Sequence, residues 1–415
     1  MKHTSKRAGR TKVSNRKDTG KADCASNKSC SPYKLPPSGR LIFPAWDGPA
    51  VTKDVVAKYK EFAAAGMTHN MTAFRDRKEA RIGLDAAAKA GVGILTRYWP
   101  HSPTVSPAEM ARHFKNHPAL AGYILQDEPT ISEFPALLAR TKEVLANDAD
   151  PNKAVCVNLL PNYAGNAMIE LKPYQKYEDY VFKFLSEIPV NILSYDHYPL
   201  QRFAPGAYWY ENLLVGQRAA NMAGIPLWSF ICCCGMDLFP DPTMATLRVQ
   251  AYNNLAMGAV GIEHFLYRAC GGRVAPYDRG GNRTYVYDLV KQLNRELAAQ
   301  AAVFVGSKTW YAPRWTGPGT PEGYKPFEPE GIIRSLATGG KCALINLLRK
   351  DKHRFLVIVN QDFLQPMPLS IRWDPQTRLG RVGRDGSVAM LNRPNLDTDV
   401  EPGDAAILMW MDQGE

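Results

Sequence analysis

The chain has 415 residues, more than one typical domain, and its 45% hydrophobic and 22% charged content is that of an ordinary globular protein. No apolar run approaches the roughly 18–20 residues that a bilayer crossing needs, so no membrane span is expected. The formal charge of +11 is lodged at one end: residues 1–40 hold eleven Lys and Arg against Asp18 and Asp23, and the near-neutral remainder lacks the basic face that a nucleic-acid partner requires.

In chain order, residues 1–39 read as a disordered basic tail. No apolar signal-type stretch follows its basic residues. The chain as it begins here is therefore expected in the cytoplasm, and export is expected only from a different start. From Arg40 short apolar runs alternate with amphipathic segments of helical length, the pattern of βα units around a parallel sheet. The runs are LIFPAW (41–46), MTHNMTAF (67–74), GVGILTRYW (91–99), LAGYILQ (120–126), AVCVNLL (154–160), VNILSY (190–195), PLWSFICC (226–233) and GAVGIEHFLY (258–267). Eight runs at this spacing predict a (β/α)8 TIM barrel over 40–304. Helix starts are expected at Ser106-Pro107, at Ser132 and at Asp241-Pro242, with Gly258 closing the last of these. TYVYDLVKQLNRELAAQAAVF (284–304) reads as the closing helix. Beyond it, TWYAPRW, CALINLLR, RFLVIVNQ, LSIRW, RVGR and AAILMWM predict a small C-terminal antiparallel β domain, a sandwich, over 305–415.

The eight Cys form no CxxC pair, so neither a structural zinc site nor a disulfide framework is expected. Cys24 and Cys30 lie in the tail and Cys156, Cys270 and Cys342 are scattered. The consecutive Cys232, Cys233 and Cys234 read as packing residues before they read as nucleophiles or metal ligands.

In such barrels the C-terminal strand ends build the site. Those ends offer Trp46 and Asp47; Arg97, Tyr98, Trp99 and His101; Asp127 and Glu128; Asn158; Asp196, His197 and Tyr198; and Glu263, His264 and Tyr267. Aromatic rings stack on the apolar faces of sugars, and the polar groups between them meet hydroxyls. Glycoside hydrolysis needs one carboxyl that keeps its proton and one that stays ionised. Glu128 is the first candidate for the proton donor, because the charge of Asp127 beside it raises its pKa and Pro129 stiffens the turn. Asp196 and Glu263 are the candidates for its partner. Trp46, Asp47, Tyr98, Trp99, Asp127, Asn158, His197, Tyr198 and Tyr267 are the expected carbohydrate-binding set.

The strand 4 end GYILQDEP resembles the Asn-Glu-Pro acid/base motif of clan A glycoside hydrolases, the group that contains family 42 β-galactosidases. ILSYDHYP and LRVQAYNNLAMGAVGIEHFLY resemble family 42-like bacterial barrels. The resemblance covers about 40–300. It implies a glycosidase acting on an oligo- or polysaccharide, with Glu128 as general acid/base and no cofactor or metal. Two departures stand out. Asp127 occupies the place of the clan's Asn, and the seventh strand, PLWSFICCCG, lacks the clan's nucleophilic Glu. The second carboxylate must then come from Glu263, Asp196 or Asp237. Without one, the chain would be a catalytically silent carbohydrate-binding barrel. A third alternative is a metal-dependent barrel using Glu128, Asp196, His197, Glu263 and His264. Nothing in the sequence speaks to oligomeric state.

Overall fold

The computed structural model describes residues 35–36, 39–99, 103–201, 204–206, 208–235, 239–269, 274–310 and 312–412. The basic tail up to residue 34, with Cys24 and Cys30, lies outside the described residues, as do His101, Asp237 and Cys270.

Eight parallel strands close into a barrel: β1 (Pro44–Trp46), β2 (His69–Thr72), β3 (Gly93–Arg97), β4 (Leu120–Asp127), β5 (Ala154–Leu159), β6 (Leu193–Tyr195), β7 (Leu227–Cys232) and β8 (Ala259–Phe265). Each pairs with its chain neighbours, and β8 closes on β1 with His264 opposite Ala45. Each expected run contains one of these strands, except that β4 runs one residue past LAGYILQ, to Asp127. The main helices around them are α1 (Val55–Ala64), α2 (Arg77–Ala90), α3 (Pro107–Phe114), α4 (Phe134–Asn147), α5 (Tyr177–Glu187), α6 (Tyr208–Ala223), α7 (Met244–Ala256) and α8 (Tyr285–Ala299).

Alternation along the strands divides two cores. On β5, Val155, Val157 and Leu159 join the helix-facing core, while Ala154 and Cys156 join the barrel interior with Met71, Leu95, Ile124, Trp228 and Phe230. Gly261 makes room for one of these, because a Cβ there would stand 2.4 Å from the Trp228 ring.

Ser106 caps α3 as expected, accepting from Glu109 N at 3.2 Å. Two other starts differ. Thr130, not Ser132, begins the turn before α4: its N–H donates to Glu133 Oε2 at 2.8 Å, and Ser132 instead donates to Glu170. Thr243, not Asp241-Pro242, caps α7. In both cases the residue three positions on, Glu133 or Thr246, completes a reciprocal cap that the other site could not make.

The C-terminal region forms an eight-stranded sheet and a three-stranded sheet. The small sheet consists of Ile333–Ala337, Met367–Trp373 and Asn395–Val400, and only the middle strand was legible as an apolar run. Ile345, Ile358, Leu408, Ile371 and Trp373 fill the space between the sheets. The other face of the large sheet, with Leu344, Phe355, Val357 and Ile407, packs into the barrel's outer core. Asn346 Nδ2 donates to Ala256 O at 2.6 Å across that contact.

Candidate active site

At the C-terminal end of the barrel lies a cleft of about 300 Å³ whose lining includes Trp46, Asp47, Trp99, Asp127, Glu128, Asn158, Asp196, Tyr198 and Phe230. A shift in strand register makes its centre. Between Ile124 and Asp127 the pairing of β4 with β5 slips, so Gln126 turns outward and Asp127 turns in. Gln126 is fixed from behind, donating to Glu133 at 2.8 Å and accepting from Arg140 at 2.9 Å. Glu128 follows in the left-handed region, with φ 48°. Its N–H donates to Asn158 O at 2.8 Å, and Tyr180 Oη donates to Pro129 O at 2.6 Å. Asp47, at the end of β1, is also left-handed, with φ 51°. Such backbones cost on the order of 1–3 kcal/mol and persist where the surroundings hold them.

Asn158 Nδ2 donates to Asp127 Oδ1 at 2.9 Å. Glu128 and Asp196 both line the cleft, and the charge of Glu128 acts on Asp196. Burial first, then the charges of Glu128 and Asp127, holds Asp196 well above the usual carboxylate range. Burial and then Asp127 raise Glu128, while its hydrogen bond to Asp196 lowers it. The resting proton therefore favours Asp196, and the pair carries one proton and one charge over a wider pH range than free carboxyls. Asp196 Oδ1 makes no hydrogen bond among the described residues.

Arg97 is the residue that the sequence reading passed over as a ligand contact. It donates to Asp47 at 2.6 Å, and its guanidinium sits 4.2 Å from the Trp46 ring and 5.0 Å from the Trp99 ring. Its Nε and Nη1 are buried without a hydrogen-bond partner among the described residues. The signal was its place between two strand-end tryptophans. Tyr163 was also missed: it packs edge-on against His197 at 4.9 Å, and burial with the nearby Asp196 and Glu128 charges raises its phenol.

Four expected residues stand elsewhere. Tyr98 turns out under Arg140, 4.7 Å from its guanidinium, because alternation past Arg97 points it away from the cleft. His197 is buried against Tyr163, with Nδ1 3.2 Å from Asn212 Oδ1, and burial pushes its pKa down to about 4. Tyr267 packs on Phe62 and Tyr277 outside this cleft. Glu263 is fully buried in the barrel interior, where Ser194 Oγ donates to Oε2 at 2.7 Å and burial pushes its carboxyl up to about 8. It does not line the cleft.

The end of β7 presents Phe230 to the cleft. Cys232, Cys233 and Cys234 are buried free thiols; burial pushes Cys233 well up, and the Cys232 hydrogen bond with burial raises Cys234. The five residues of the metal alternative are not brought together. Glu263 is in the interior, His197 is tied to Asn212, and His264 turns outward to Pro44 O at 3.2 Å. Among the described residues, no three His, Cys, Asp or Glu side chains converge as a metal site.

No family model matches the chain, and no curated protein matches its sequence. Solved structures do. A catalytic mutant of a family 42 β-galactosidase from G. stearothermophilus is similar over 90% of this chain and 98% of its own, at 6% identity and TM-score 0.60. An α-amylase from Anoxybacillus is similar over 91% of this chain and 98% of its own, at 10% identity and TM-score 0.51. The chain spans 60% of the length of a β-galactosidase from the psychrophilic Marinomonas ef1, over 63% of its own, at 9% identity and TM-score 0.47. At these identities the likeness is one of fold, and it is carried by the first two structures, each similar over nine tenths or more of both chains.

Proposed function

We propose that the protein is a glycoside hydrolase whose chemistry is carried by the Glu128 and Asp196 carboxyls. The observation that carries this reading is that both carboxyls line one cleft walled by Trp46, Trp99, Tyr198 and Phe230, where burial and neighbouring charge raise each of them. The proton resting on Asp196 passes to Glu128, the more exposed of the two, which delivers it to the glycosidic oxygen as the bond to the sugar carbon breaks. Both carboxyls are then ionised; they stabilise the oxocarbenium-like centre, and Glu128 takes a proton back from the water that adds. Asp47, Asp127, Asn158 and the free donors of Arg97 meet the sugar hydroxyls. Residues 40–304 form the catalytic unit in this reading, and 305–415 buttress it.

The absence of a carboxylate on β7, where Phe230 faces the cleft, favours one second reading, a barrel that binds sugar without cutting it. Both are tested by incubating wild type and Glu128→Gln with a panel of plant and algal oligosaccharides. Wild type is expected to release reducing ends from at least one, with a loss on the order of 10²–10⁴-fold in the variant. Equal calorimetric binding to both proteins with no cleavage by either would leave the binding barrel.

A further inference from the structure

Beside the cleft lies a second pocket, of about 210 Å³, built by the loop after β1, by α1 and by the loop after β8. The two hollows are contiguous along the chain: Asp47 and Leu266 line the cleft, and their neighbours Gly48 and Tyr267 line the pocket. The pocket lining carries Lys58, Arg268 and Arg279 and no carboxylate. Lys58 has Asp54 at 3.6 Å, but Arg268 and Arg279 are exposed and form no ion pair among the described residues. Arg279 sits on a tight turn that Asp278 holds by accepting from Asn282 N at 2.8 Å and Asn282 Nδ2 at 3.2 Å. Gly281, at φ 82°, lays that turn against Lys58: a Cβ there would stand 3.5 Å from Nζ. Lys58, Arg268 and Arg279 thus line one space. The buried hydroxyl of Tyr267, which also lines it, makes no hydrogen bond among the described residues.

Three like charges around one hollow repel each other, and an anion seated among them removes that cost. Two arginine forks match the paired oxygens of a carboxylate or a sulfate, and a phenolic O–H adds a neutral donor. We propose that this pocket is a subsite for an anionic substituent, carboxylate or sulfate, on a sugar near the bond cleaved, so that the substrate class is an acidic glycan. The proposal rests on the glycosidase reading of the adjoining cleft.

Calorimetry with paired probes tests it. One pair is a galacturonate trisaccharide and its methyl ester; the other is a sulfated galactan oligosaccharide and its desulfated product. Wild type is expected to bind the charged member of at least one pair about tenfold or more tighter than its neutral twin, with the gap narrowing as salt rises. Which pair shows the gap distinguishes carboxylate from sulfate. Arg268→Gln/Arg279→Gln, checked for folding by circular dichroism, is expected to lose the preference while binding the neutral twin unchanged. Equal binding of twins, no binding of any probe, or a preference that survives in the double variant would overturn the proposal. Cleavage is scored separately on the same samples. A charged probe bound preferentially but left uncut would keep this subsite and remove the glycosidase reading. A neutral probe cut with no charge preference would do the reverse.

Discussion

Asp47 and Glu128 hold left-handed backbones at the ends of β1 and β4 at the barrel mouth, where glycine would be relaxed. At both positions the side chain faces the cleft, so the strain serves the placement of a carboxylate. The buried Glu263 behaves differently. Because its carboxyl is raised to about 8, the folded state keeps a proton that the unfolded chain releases near its ordinary range. Stability is therefore full below that range and falls as pH rises toward about 8. Glu263→Gln is expected to melt above wild type at pH 8 and close to it near pH 4, with cleavage retained; a pH series of calorimetric melts checks this. The active pair imposes the same sign on rate. Activity needs the shared proton, so kcat/KM is expected to fall as pH rises through the raised range of Glu128 and Asp196. Its alkaline limb should lie above that of ordinary carboxyls.

At the scale of elements, the barrel strands were legible because parallel strands buried on both faces leave apolar runs. Strand ends follow from those runs, which is why Glu128, Asp196, Trp46 and Trp99 could be named. The slip between Ile124 and Asp127 could not be read, since no residue pattern marks which neighbour turns in. The same limit misassigned Tyr98 beside Trp99. Ile333–Ala337 and Asn395–Val400 escaped notice because their exposed faces are polar and their runs are broken. Helix α7 shows what a second layer does to a helix: Thr246 through Ala256 are all buried, between the barrel on one side and the large sheet on the other. Within that layer Arg248 grips Glu296 of α8 with Nη2 2.8 Å from both carboxylate oxygens. Arg248→Ala leaves a buried carboxylate unpaired and is expected to cost about 3–5 kcal/mol in a denaturant titration, with the site's chemistry unchanged.

For the whole molecule, the shared outer core joins barrel and β sheets into one unit. Leu344, Phe355 and Ile407 fill the same core as Leu247 and Leu255, so neither part buries its apolar face alone. A single calorimetric transition is expected, and a chain cut after residue 304 is expected to aggregate. In the proposed reaction Glu128 passes a proton to the leaving oxygen, and the dependence of rate on leaving group reads that step. Aryl glycosides of a sugar that wild type cleaves, graded from phenol to dinitrophenol, would be run with wild type and Glu128→Gln. A shallow slope is expected for wild type and a steep one for the variant, whose loss is greatest on phenol and nearly vanishes on dinitrophenol. An equal loss across the series, or none, would contradict Glu128 as the acid.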